Sequence, residues 1–97
     1  MSFLPLNAPS VLTCVVSGAT SLSIAINGTY TQIEDYLGNP QFKHNVADYW
    51  LYKEGGTWQI EDAQADAGTI FFERNNADYL GSYSTVSGSG SVVVSAT

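Results

Sequence analysis

Asp48-Tyr-Trp-Leu-Tyr-Lys-Glu-Gly-Gly-Thr-Trp-Gln-Ile-Glu61 is two short apolar-aromatic runs joined by Gly55-Gly56. Side chains alternate along a strand, and consecutive glycines supply the positive φ values of a tight hairpin turn, so the stretch reads as a β-hairpin. On its second run Trp58 and Ile60 share one face, with Thr57, Gln59 and Glu61 on the other. On its first run both faces are apolar, Tyr49 and Leu51 on one and Trp50 and Tyr52 on the other. One face lines a core; the other calls for a second layer, a ligand or a partner.

Further strand signals flank this hairpin. Val11–Ser17 is apolar and β-branched, and Leu22, Ile24 and Ile26 alternate with Ser21, Ser23 and Ala25. Asn27-Gly28 and Gly38-Asn-Pro40 read as turns around a strand at Thr29–Tyr36, followed by a short one at Gln41–His44. Thr69–Arg74, Tyr79–Thr85 and Val92–Ser95 complete the series, and Ala63–Gly68 and Asn75–Asp78 read as loop and turn. About eight short strands separated by turn signals predict an all-β fold, a small antiparallel sandwich or barrel with almost no helix. Val15-Val-Ser-Gly-Ala-Thr-Ser21 echoes Thr85-Val-Ser-Gly-Ser-Gly-Ser91, and these two ends are candidates to pair as neighbouring strands. Trp58 and Ile60 are expected in the core with Tyr30 and one of Phe71 or Phe72.

The chain of 97 residues is the length of one domain, read as 10–97, preceded by an arm at 1–9. Pro5 and Pro9 keep that arm extended, and Phe3, Leu4 and Leu6 are costly to leave in water. The arm therefore packs on its own domain or reaches another subunit, and the second is the expectation carried forward.

Composition excludes several classes of function. Three basic residues against nine acidic ones give a net charge of −6, which disfavours nucleic acid and anionic membrane surfaces. No apolar run is long enough for a membrane span or an export signal, so the expected setting is a cytoplasm. Cys14 stands alone in a strand-like run and reads as a buried, inert thiol.

Catalytic groups are scarce. His44 is the one histidine and reads as a surface or edge residue, and no serine sits in a nucleophile elbow. The carboxylates of Glu34-Asp35, Glu61-Asp62 and Asp66 read as solvated turn acids. Three of them within Glu61–Asp66 raise calcium, without EF-hand spacing or its central glycine. No zinc set and no phosphate loop is present. No catalytic residue, cofactor or metal is therefore assigned. What remains is an excess of aromatic residues, suited to a core, to a protein interface or to sugar stacking.

Asn27-Gly-Thr-Tyr30, Gly38-Asn-Pro40 with Phe42, Tyr49-Trp-Leu-Tyr52, Thr57-Trp-Gln-Ile60 and Phe71-Phe72 follow one another in order. Together they resemble a small aromatic β-domain found in predicted structural proteins of tailed bacteriophages and in large extracellular proteins of microbial eukaryotes. The resemblance covers about residues 27–72 and brings no catalytic residues. It implies a virion structural or adhesive role. Lack of an export signal, lack of a disulfide, low charge and the apolar arm together favour a capsid decoration or cement protein assembled in the host cytoplasm. Partners would be other virion proteins and further copies of the chain, in a dimer or trimer. Phe3, Leu4, Leu6, Trp50, Tyr52 and Phe71 are the expected contact residues. The alternative is a glycan-binding or adhesive module of a tail fibre or surface protein. In that case Trp50 and Tyr52 form a platform with Phe71 beside them, and Asp48 or Gln59 supplies hydrogen bonds.

Overall fold

The computed structural model describes residues 11–64 and 68–97; Phe3, Leu4, Leu6 and Asp66 lie outside that range. The strands are β1 (Thr13–Ala19), β2 (Gly28–Tyr36), β3 (Asn39–His44), β4 (Trp50–Glu54), β5 (Thr57–Glu61), β6 (Ile70–Arg74), β7 (Gly81–Thr85) and β8 (Gly90–Ala96). Each pairs antiparallel with the next, and β8 returns to β1, so the eight strands form a closed barrel. Closure leaves no free sheet edge, which removes the hazard of edge-to-edge aggregation.

Alternation turns one set of side chains inward. Cys14 and Val16 of β1, Tyr30 of β2, Phe42 of β3, Leu51 of β4, Trp58 and Ile60 of β5, Phe72 of β6, Tyr83 of β7, and Val92 and Val94 of β8 are buried together. An eight-stranded barrel is just wide enough for side chains to fill it, and these do. Rings close the interior at both ends. Toward one end Tyr30, His44, Tyr49 and Phe71 make successive edge contacts, with centroids 4.9, 6.2 and 5.9 Å apart. Toward the other, Tyr79 lies 4.8 Å from Phe42 and 5.5 Å from Trp58. Its loop is tied down by the Tyr83 hydroxyl, which donates to the Tyr79 carbonyl at 2.7 Å.

The hairpin turn falls at Gly55-Gly56, with φ of 59° and 83°, the geometry two consecutive glycines adopt at no steric cost. The β2–β3 turn is at Leu37-Gly38, not Gly38–Pro40. Asn39 already pairs with Tyr36, and Pro40, which has no N–H to give, sits where the register shifts.

At the seam β1 and β8 pair the first and last strands of the barrel, but of the echoing segments only Ala19 and Gly90 are partners in register, and Val86-Ser-Gly88 lies in the β7–β8 connection. Ser17 pairs with Val93 and Ala19 with Gly90, with a register shift at Gly18. Backbones approach so closely there that a Cβ on Gly18 would lie 2.0 Å from the Ser91 carbonyl oxygen.

Ser21–Ile26 is a 3-10 helix, not the strand that its alternating aliphatics suggest. Its buried residues are Ser23 and Ile26, three apart, which is the 3-10 repeat. Register explains the change: Val16 pairs with Gly28, so the chain between them must loop out and return. Asn27 fixes the return, its side chain accepting from the Ala19 N–H and donating to the Ala19 carbonyl, both at 2.9 Å. Leu22 and Ile24 are left exposed in consequence.

Candidate functional site

An antiparallel barrel has two ends, and their chemistry differs. One end carries the connections 20–27, 45–49, 62–69 and 86–89; the other carries the start of β1 and the connections 37–38, 55–56 and 75–80. At the first end stand Leu22, Ile24, Val46 and Val86, 101%, 63%, 90% and 50% exposed. Connections 20–27 and 86–89 contain no charged residue. At or beside the second end lie Glu34, Asp35, Lys53, Glu54, Arg74 and Asp78. These four exposed aliphatics share the rim of one end, where the 20–27 and 86–89 connections are uncharged and the 45–49 and 62–69 connections carry Asp48 and Asp62 among the described residues. Side chains as exposed as Leu22 and Val46 on one end mark a candidate interaction surface.

That rim is a bonded framework. The Thr20 N–H donates to the Ser89 carbonyl at 2.9 Å, the Ser89 N–H donates to Ser23 Oγ at 2.9 Å, and the Ser89 hydroxyl donates to the Thr20 carbonyl at 2.8 Å. These bonds lock the 3-10 helix to the β7–β8 connection. His44 locks the β3–β4 connection to the same helix. Its Nδ1 accepts the N–H groups of Val46 and Ala47 at 3.0 Å each. The ring proton therefore resides on Nε2, which donates to the Asn27 carbonyl at 2.9 Å. His44 is thus a buried structural group and not the surface or edge residue its setting in the sequence suggests. Gly28 is required beside it, because a Cβ there would meet Nε2 at 2.6 Å.

The aromatic face of the hairpin is arranged otherwise than expected. Trp50 is half-buried on the outside of β4, and Lys43 Nζ lies 5.1 Å over its ring. That ammonium also donates to the Ala47 carbonyl at 2.6 Å and lies 3.7 Å from the exposed Asp48 carboxylate. Tyr52 has no exposed surface, so it is not a contact residue of the folded chain. Its ring meets Tyr36 edge-on at 5.1 Å, and its hydroxyl donates to Glu61 Oε2. Glu61 is itself fully buried, and its Oε1 accepts from the Gly68 N–H at 3.3 Å. The Tyr36 hydroxyl donates to Glu54 at 3.0 Å. The second layer that the two-faced first run demands is therefore supplied by the chain itself.

Phe71 does not join Trp50 and Tyr52. At the register shift between Ile60 and Glu61 the alternation of β6 is interrupted, and Phe71 packs on the core beside Tyr49 while Phe72 is fully buried in it. Tyr30, Trp58 and Ile60 lie within the core, Trp58 with its indole N–H donating to the Ala77 carbonyl at 3.3 Å.

The polar residues around Tyr52 do not converge on a ligand. Gln41 and Gln59 are buried, and their carbonyl oxygens have no hydrogen-bond partner among the described residues. The Gln41 amide nitrogen donates to the Glu34 carbonyl of β2 at 3.2 Å. Glu61 is not the solvated acid its place before a loop suggests, and Asp62 accepts from the Thr69 N–H at 2.8 Å. No set of three metal-ligating side chains and no cavity occurs among the described residues. Burial pushes the Cys14 thiol up to about 12, so its nucleophilic thiolate is suppressed at neutral pH. Burial likewise raises the Tyr30, Tyr79 and Tyr83 hydroxyls above the ordinary phenol range.

The alternation of Leu22, Ile24 and Ile26 reads as a strand, which hides the aliphatic rim from sequence reasoning. The signal that points to it is the run Leu22-Ser-Ile-Ala-Ile26 ending in the turn residues Asn27-Gly28. Comparison with protein-family models, curated proteins and solved structures found no match.

Proposed function

We propose that the chain is a virion structural protein of a tailed bacteriophage, a capsid decoration or cement protein that works by subunit contact. The observation that carries a contact role is the end of the closed barrel on which Leu22, Ile24, Val46 and Val86 stand exposed. Apolar side chains held out on a bonded framework present a preorganised surface, so little ordering entropy opposes association. The low charge of the chain, 12% of residues, reduces the desolvation that assembly would otherwise require. The virion setting rests on the resemblance of residues 27–72 to phage structural domains. Mass spectrometry of purified particles tests it: the chain should be present in stoichiometric amounts, and its absence would refute the assignment.

The glycan-binding alternative now has a narrower basis. With Tyr52 covered and Phe71 turned to the core, Trp50 and Asp48 alone would contact a sugar. A glycan array followed by fluorescence titration separates the readings, since sugar binding should shift Trp50 emission and a contact protein should give no response.

A further inference from the structure

We infer that the rim carrying Leu22, Ile24, Val46 and Val86 is the docking site for residues 2–9 of a second copy of this chain. The inference rests on the subunit-contact reading above and names the two surfaces involved. The first observation is position. The arm joins the barrel through Leu12, whose N–H and carbonyl both pair with Gln32, at the charged end; the aliphatic rim is at the other end. The second is chemistry. Residues 2–9 carry no charged side chain and present Phe3, Leu4 and Leu6, and the 20–27 and 86–89 connections are uncharged as well. On those two connections no charge need be desolvated when they meet, and the exposed Asp48 near Val46 lies 3.7 Å from Lys43. The arm's own end also exposes Val11, Leu12 and Leu37, but sets them among Lys53, Glu54, Arg74 and Asp78.

The third observation is reach. Leu6 precedes Leu12 by six residues, a span of about 22 Å at full extension. Leu12 to Ala19 covers seven residues of strand, about 23 Å, and Leu22 and Ile24 lie beyond Ala19. An arm doubling back along its own barrel can bring Phe3 and Leu4, nine and eight residues before Leu12, to its own rim but not Leu6, so seating all three side chains there together takes a neighbour. The contact is then heterologous, with arm and rim on different surfaces of one molecule. Repetition either closes a ring or runs on as a string of subunits.

Two variants and their mixture decide the matter. One lacks residues 2–9; the other carries Leu22→Asp with Val46→Asp, both at side chains that are 90% exposed or more. Thermal melts first establish that each folds, with Leu22→Ser and Val46→Ser as the milder pair should the aspartates prevent it. Sedimentation velocity on the wild-type chain should show self-association rising with concentration. Each variant alone should associate at least tenfold more weakly. Mixed, they should form a discrete one-to-one pair, because the intact arm of one meets the intact rim of the other and neither can extend further. A wild-type chain that stays monomeric, a rim variant that associates like wild type, or a mixture that remains monomeric would each overturn the inference. Sedimentation is independent of particle composition. A chain missing from virions would remove the phage assignment and leave the pairing result intact, and failed pairing would leave the particle result intact.

Discussion

Replacing Trp58 with alanine should come close to unfolding the protein. Trp58 is 2% exposed on β5, against Tyr79, with its indole N–H on the Ala77 carbonyl. Truncation exposes or empties about 150 Å² of apolar contact, worth roughly 4 kcal/mol at about 25 cal/mol per Å². The lost hydrogen bond adds about 1 kcal/mol. Collapse of the 75–80 loop into the space returns part of this, which brings the expected cost to about 3–5 kcal/mol, the range of aromatic truncations in cores. A domain of this size has a total stability of only about 5–15 kcal/mol. The melting temperature should therefore fall by roughly 12–40 °C, at about 4–8 °C per kcal/mol. The assay is thermal and urea unfolding followed by circular dichroism, which avoids interference from Trp50 fluorescence. A cooperative melt within a few degrees of wild type would refute the placement of Trp58 as a filling residue of the barrel.

Three other outcomes are expected. Gly18→Ala should cost about 3 kcal/mol or more, combining a φ of +95° with a Cβ driven into the Ser91 carbonyl. Gly38→Ala, at φ +81° with open space around it, should cost only about 1 kcal/mol, so that the difference in urea midpoint isolates the seam between β1 and β8. Tyr52→Phe deprives the buried Glu61 carboxylate of a donor and should destabilise by about 2 kcal/mol, whereas Tyr36→Phe, at a half-buried ring, should cost under about 1 kcal/mol in the same titrations. Stability should also decline in alkali. Cys14 is raised from an ordinary 9.0 to about 12 in the folded chain, so the neutral thiol's contribution is complete below pH 9 and is lost as pH rises toward 12. Between pH 9 and about 10.5 a Cys14→Ala variant should lose about 2 kcal/mol less stability than wild type, and equal losses would rule out the buried thiol as a cause.

How far the fold can be read from residues depends on how local its causes are. The 48–61 hairpin is legible because a period of two and a Gly-Gly turn are both local signals, whereas the echo of Val15–Ser21 in Thr85–Ser91 shows only in the pairing of Ala19 with Gly90. Leu22, Ile24 and Ile26 misled because the same alternation fits a strand. The 3-10 path is imposed by the pairing of Val16 with Gly28 and by the Asn27 clasp on Ala19, which are tertiary facts. Tyr52 looked like a free surface because its cover comes from Tyr36 on β2 and Glu61 on β5. His44 looked peripheral because its partner is the Asn27 carbonyl, far away in the chain. The excess of aromatics and a first hairpin run that is apolar on both faces call for a second layer, a ligand or a partner. The sequence pattern does not say that most of that layer is internal, through rings closing both barrel ends and a covered outer face on β4 and β5.

Cross-linking tests the arm-to-rim pairing most directly. A photoreactive amino acid placed at position 22, whose side chain is fully exposed, samples whatever sits on the rim. The chain would be made in light and heavy isotopic forms, mixed and irradiated, and the linked peptides sequenced by mass spectrometry. Arm docking between copies requires links from position 22 to residues 2–9 that join light to heavy peptides in the proportion random mixing sets. Links to residues 2–9 found only within light or only within heavy chains would contradict it, as would links from position 22 that never include the arm.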